Sequence, residues 1–94
     1  MDQKIQLIHP DGKKAVSINK EKYDVLRKAI ISSLNKGEST HSEILHSITE
    51  DFKKDKFRFE GSLEWYLEWV KLDLEARNEI KRVENKSAVI FRLA

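Results

Sequence analysis

The sequence predicts an α+β domain in which an N-terminal β-hairpin, three helices and a C-terminal β-hairpin follow one another. Three observations predict it. Apolar residues at strand spacing flank a Pro-Asp-Gly turn near the start and an Asn-Lys turn near the end; three helix-capping signals lie between them; and apolar residues behind each cap recur at helical spacing. Ninety-four residues hold one core and not two, because each half would bury too little apolar surface to offset the entropy of ordering its chain. Residues 1–94 are therefore read as a single domain.

Ile5 and Leu7, then Ala15 or Val16 and Ile18, bracket His9-Pro10-Asp11-Gly12-Lys13, where proline presets a turn and glycine accepts positive φ. Asn19 is placed to cap the first helix, with Ile18 and Tyr23 spaced as a hydrophobic staple. The helix runs to about Asn35 with Tyr23, Leu26, Ile30 and Leu34 on one face, and Gly37 is the expected left-handed terminator. Thr40 and Glu43 form a capping-box pattern ahead of Ile44, Leu45, Ile48 and Phe52, which predicts a shorter second helix. Lys53 to Phe59 reads as a connector with an extended Phe57-Arg58-Phe59 segment. Ser62 caps the third helix, which ends near Asn78. Ile80–Glu84 and Ser87–Leu93 then read as strands around the Asn85-Lys86 turn.

The third helix is apolar on two sides. At about 100° per residue, Leu63, Tyr66, Leu67, Val70 and Leu74 form one stripe, and Trp65, Trp69, Leu72 and Ala76 form another on roughly the opposite side. Glu64, Glu68, Lys71, Glu75 and Asn78 lie between them as a strip that is acidic on balance. One stripe serves the core. The other is covered either by the N-terminal hairpin or by a protein partner or second copy, with Trp65, Trp69 and Leu72 as anchors, because buried aromatic side chains dominate interface energetics.

The net charge is +2, but it alternates along the chain: residues 1–37 carry +4, 38–52 carry −4, 53–59 carry +3, 60–79 carry −4 and 80–94 carry +3. So small a total predicts no strong attraction to nucleic acid, although a local patch acts within a Debye length of about 8 Å. Lys53, Lys54, Lys56 and Arg58 of the connector and Lys81, Arg82, Lys86 and Arg92 of the closing hairpin are the candidates for such a patch, with Phe57 or Phe59 as a stacking face.

Catalytic and metal chemistry find little support. There is no cysteine, which removes disulfides, thiolate ligands and thiol nucleophiles and is compatible with a reducing compartment. His41 and His46, five apart on one helix, diverge by about 140° and cannot share an ion. Glu64 and Glu68 lack the histidine spacing of a carboxylate metal site. No nucleophile elbow or glycine-rich phosphate loop is present. The expectation is a non-enzymatic protein without cofactor or metal. The N-terminus lacks the apolar run of a secretory signal and no stretch approaches a membrane span, so the expected location is the cytoplasm.

A hairpin, three helices and a closing hairpin in this order resemble a winged helix-turn-helix domain, whose last hairpin is the wing. The run GSLEWYLEWVKLDLEARNEIKRV followed by a short β-wing resembles, more narrowly, a small bacterial family of uncharacterised single-domain winged-helix proteins. The family resemblance implies the fold and no activity. The winged-helix resemblance implies that the third helix stands where base-reading helices stand, with the wing on phosphate or minor groove. Against that role, the third helix offers glutamates and indoles where base readers offer Arg, Lys, Asn, Gln, Ser or Thr, and only Lys71 and Asn78 on its polar strip suit base contacts. Two functions are therefore expected in order: a protein-contact or self-association module built on Trp65, Trp69 and Leu72, and, as the alternative, a DNA-binding regulator using the basic wing and connector.

Overall fold

A computed structural model describes residues 3–84 and 88–94. Strands β1 (Lys4–Gln6) and β2 (Ser17–Asn19) pair antiparallel, with Ile5 opposite Ile18. The turn between them closes where the Gly12 amide donates to the His9 carbonyl, and Gly12 takes φ 75°. Helix α1 (Lys20–Asn35) starts directly from β2: the Asn19 side chain accepts from the Lys22 amide, and Ile18 and Tyr23 are both buried, as a staple requires. Gly37 follows the helix at φ 144°, positive but more extended than the left-handed helical conformation expected there.

The two-residue strand β3 (Ser39–Thr40) precedes helix α2 (His41–Lys54). The capping box is complete. Thr40 Oγ1 accepts from the Glu43 amide at 3.2 Å while Glu43 Oε1 accepts from the Thr40 amide at 2.9 Å. Helix α2 runs through Lys53 and Lys54, which belong to its last turn and not to the connector as expected. It ends in a Schellman motif: Lys56 adopts φ 54°, its amide donates to the Lys53 carbonyl, the Phe57 amide donates to Phe52, and the Phe52 and Phe57 rings meet edge to face at 4.9 Å.

Ser62 caps helix α3 (Leu63–Ala76) by accepting from the Trp65 amide. Gly61 allows the chain to enter it, since φ there is 95° and a Cβ would meet the Tyr66 ring at 3.0 Å. A second Schellman motif, with Asn78 at φ 62°, turns the chain into β4 (Ile80–Glu84). Strand β5 (Val89–Leu93) pairs with β4 on one side and with β3 on the other, giving the order β3-β5-β4. The Asn85-Lys86 turn, and Lys86 as a basic candidate, lie outside the described residues.

The core takes Tyr23, Leu26, Ile30 and Leu34 from α1, Ile44 and Ile48 from α2, and Leu67, Val70 and Leu74 from α3. Leu7, Ile18, Ile80 and Phe91 close it from the two sheets. The result is a winged-helix-like α+β arrangement whose wing sheet carries a third strand, β3, that strand propensity could not reveal in two residues.

Candidate functional site

Helix α3 buries Leu67, Val70 and Leu74 of its expected stripe, packs Leu63 and Tyr66 partly buried against the core, and also buries two charged side chains, Lys71 at 2% and Asp73 at 0% exposure. Asp73 ties the N-terminal hairpin to the helix. Its Oδ1 accepts from the Ile8 amide at 2.8 Å, and its Oδ2 accepts from the Tyr23 hydroxyl at 2.6 Å and from Arg77 Nε at 2.8 Å. Burial, and then the hydrogen bond to Asp73, push the Tyr23 hydroxyl far above its ordinary pKa, so it stays a donor.

Lys71 corrects the expected polar strip. Its Nζ donates to His41 Nδ1 at 2.7 Å and to Glu68 at 3.3 Å, and sits 4.3 Å from the centre of the Phe91 ring. An accepting Nδ1 requires a neutral imidazole with its proton on Nε2. Desolvation first, then the Lys71 charge, lowers the His41 pKa, and desolvation lowers that of Lys71. Lys71 is thus withdrawn from any base-reading role. Glu75 accepts from Arg82 Nε at 3.0 Å, so the glutamate strip is partly neutralised by its own neighbours.

The second stripe is half covered. Trp65 is 46% exposed, whereas Trp69 is partly buried against the core and Leu72 is partly buried at the margin of a cleft. The hairpin held by Asp73 reaches this margin with its tip. Between the tip, α3 and β4 lies an open cleft of about 700 Å³, bordered by Pro10, Glu68, Leu72, Glu75, Ile80 and Arg82. The two indoles meet at 6.3 Å between ring centres, and the ring contacts continue from Trp65 to Tyr66, Phe59, Phe52 and Phe57. Lys22 adds a cation 4.6 Å from the centre of the Tyr66 ring. Trp65 and Trp69 are thus in ring contact, Trp65 also packs on Tyr66, and Leu72 follows about one turn further along α3.

The basic candidates fall into two groups. Lys53, Lys54, Lys56 and Arg58 are exposed at the C-terminal end of α2, while Lys81, Arg82 and Arg92 lie on the wing sheet near its N-terminal end, where Thr40 pairs with Ile90. The fourteen residues of α2 span about 20 Å between its two ends. Arg82 is engaged by Glu75, and Arg92 stands 3.8 Å from Glu38. Lys81 lies directly opposite Arg92 across the strands. Among the described residues no group of three or more His, Cys, Asp or Glu side chains is placed to hold a metal ion, and no helix is long and apolar enough to cross a membrane.

A family model covering residues 4–90 matches the chain. The chain belongs to the DUF6958 family of unknown function. No curated protein and no solved structure matches it. Membership agrees with the resemblance carried by the tryptophan-bearing helix, and it leaves the role of this DUF6958 member to be argued from its surfaces.

Proposed function

We propose that this DUF6958 chain is a non-enzymatic interaction module that receives a protein partner on the outer face of α3, with Trp65, Trp69 and Leu72 as anchors. The observation that carries the reading is Trp65, nearly half exposed on a helix whose opposite face gives Leu67, Val70 and Leu74 to the core. An indole held by Tyr66 and Trp69 offers a large apolar contact at little cost in conformational freedom, and the cleft beside Leu72 gives a partner somewhere to seat a side chain. The test is capture from a native lysate with the wild-type chain and with Trp65→Glu and Leu72→Glu, each verified as folded by circular dichroism. A protein retained by the wild type and lost from both variants supports the reading; equal retention by all three sinks it.

Duplex binding is the second reading, favoured by one observation, the Lys81–Arg92 cross-strand pair of exposed cations on the wing. It predicts micromolar affinity for random duplex DNA that falls steeply between about 50 and 200 mM salt and weakens on Lys81→Ala. Flat fluorescence anisotropy across the titration removes it.

A further inference from the structure

We propose that His41, Lys71 and Glu68 form a proton-operated latch, which holds the wing sheet and the start of α2 against α3 near neutral pH and lets them part when His41 gains a proton. The latch sits where four elements meet. His41 is the first residue of α2, directly after the cap Thr40, which pairs with Ile90 of β5. Lys71 comes from the middle of α3, and its Nζ lies over the ring of Phe91 in β5, with the Arg82 guanidinium of β4 5.2 Å from the same ring centre. Among the described residues, the 2.7 Å contact between Lys71 Nζ and His41 Nδ1 is the hydrogen bond that joins α2 to α3.

An ammonium has only donors, so the Nδ1 lone pair must stay free to receive it. A solvent proton taken up by Nδ1 fills that lone pair and sets two cations 2.7 Å apart, one of them on a side chain almost wholly withdrawn from screening water. The proton has a route, because 25% of the His41 side chain is exposed. Glu68 Oε2 stands 3.6 Å from Nδ1 and 3.3 Å from Lys71 Nζ, the one carboxylate within reach of both. The other charges nearby are spoken for or outside. Glu75 accepts from Arg82, Glu43 is turned back to the Thr40 amide, and Arg92, which faces Glu38, lies by strand alternation on the side of β5 opposite Phe91. Glu64 is exposed and, with Glu68, favours a charged imidazole; desolvation first and then the Lys71 charge act the other way and prevail. Protonation therefore hands Glu68 to His41 and drives Lys71 off the Phe91 ring, which loosens β5 from α3. The latched state binds the proton more weakly than the parted one, so latching is complete above the ordinary histidine range and is lost as pH falls below it.

Nuclear magnetic resonance on the full chain tests this. The ring-nitrogen shifts of His41 should show Nδ1 unprotonated at about pH 7. Hydrogen exchange, corrected for its intrinsic pH dependence, should show the β3 and β5 amides losing protection roughly threefold or more between about pH 7 and 5 while those of α1 keep theirs. His41→Gln, whose amide oxygen accepts from Lys71 at either pH, should abolish the loss, and so should Lys71→Met, which removes the opposing cation. A proton on Nδ1 at neutrality overturns the latch. Equal loss in α1 overturns it as well, because the imidazole would then be linked to unfolding of the whole chain and not to release of the wing. So does a loss that persists in either folded variant.

Discussion

An aspartate at 0% exposure persists among apolar side chains only when its oxygens are used, and Asp73 uses both, on Ile8, Tyr23 and Arg77. Asp73→Ala removes the acceptor common to three donors, two of them from other elements, and should cost about 3 kcal/mol in urea unfolding. Loss within a few tenths of a kcal/mol of zero would mean water replaces the carboxylate freely. His41 carries a pH dependence of definite sign. Its folded-state pKa lies below the unfolded value, so the unfolded chain takes up the proton first and stability falls as pH drops from about 7 toward 5. His41→Gln should flatten the denaturation midpoint over that window, whereas an unchanged slope would assign it elsewhere. The burial of Lys71 and Asp73 was not read from sequence, yet the signal was present. Lys71 lies only about 40° from Leu67 around the helix, and Asp73 about 20° from Tyr66, so both border the buried stripe. What sequence could not supply was the partner that makes burial tolerable, because His41 and Tyr23 belong to other helices.

At the scale of elements, the capping signals were legible and fell where they were read: Asn19, Thr40 with Glu43, and Ser62 each accept from the helix they precede. Caps are local, made within four residues, and composition reveals them. The ends were harder. Helix α2 stops at a left-handed lysine, a conformation that glycine adopts without the steric cost an L side chain bears, so Lys56→Gly should stabilise the protein by about 0.5–1 kcal/mol. Asn78→Gly should gain less, because asparagine tolerates that region. Equal responses in thermal unfolding would show that the Phe52–Phe57 contact, and not backbone conformation, governs the α2 terminus. Strand β3 escaped notice for a related reason. Its two residues acquire strand geometry only because β5, fifty residues later, supplies the hydrogen-bonding edge.

Over the whole molecule, the alternating charge blocks describe where charges occur along the chain and not where they meet. The acidic block of α3 finds Arg27, Arg82 and its own Lys71 and Arg77, so the outer face of the helix is less negative than its composition. That leaves the indoles as its distinguishing chemistry, unequally covered. Trp69→Phe leaves Trp65 alone, and its fluorescence should be quenched by acrylamide about twofold more strongly than that of Trp65→Phe, which leaves Trp69 alone. Equal quenching would contradict the packing of Trp69 against the core.

Sequence by itself determined the α+β class, the order of the two hairpins and three helices, the caps, and the gathering of Trp65, Trp69 and Leu72 on one side of α3, since these follow from periodicity and from hydrogen bonds made a few residues apart. Only the tertiary structure decided that Lys71 and Asp73 turn inward, and that β5 lies between β3 and β4. Each depends on a group remote in sequence arriving within bonding distance, and no local pattern records that arrival.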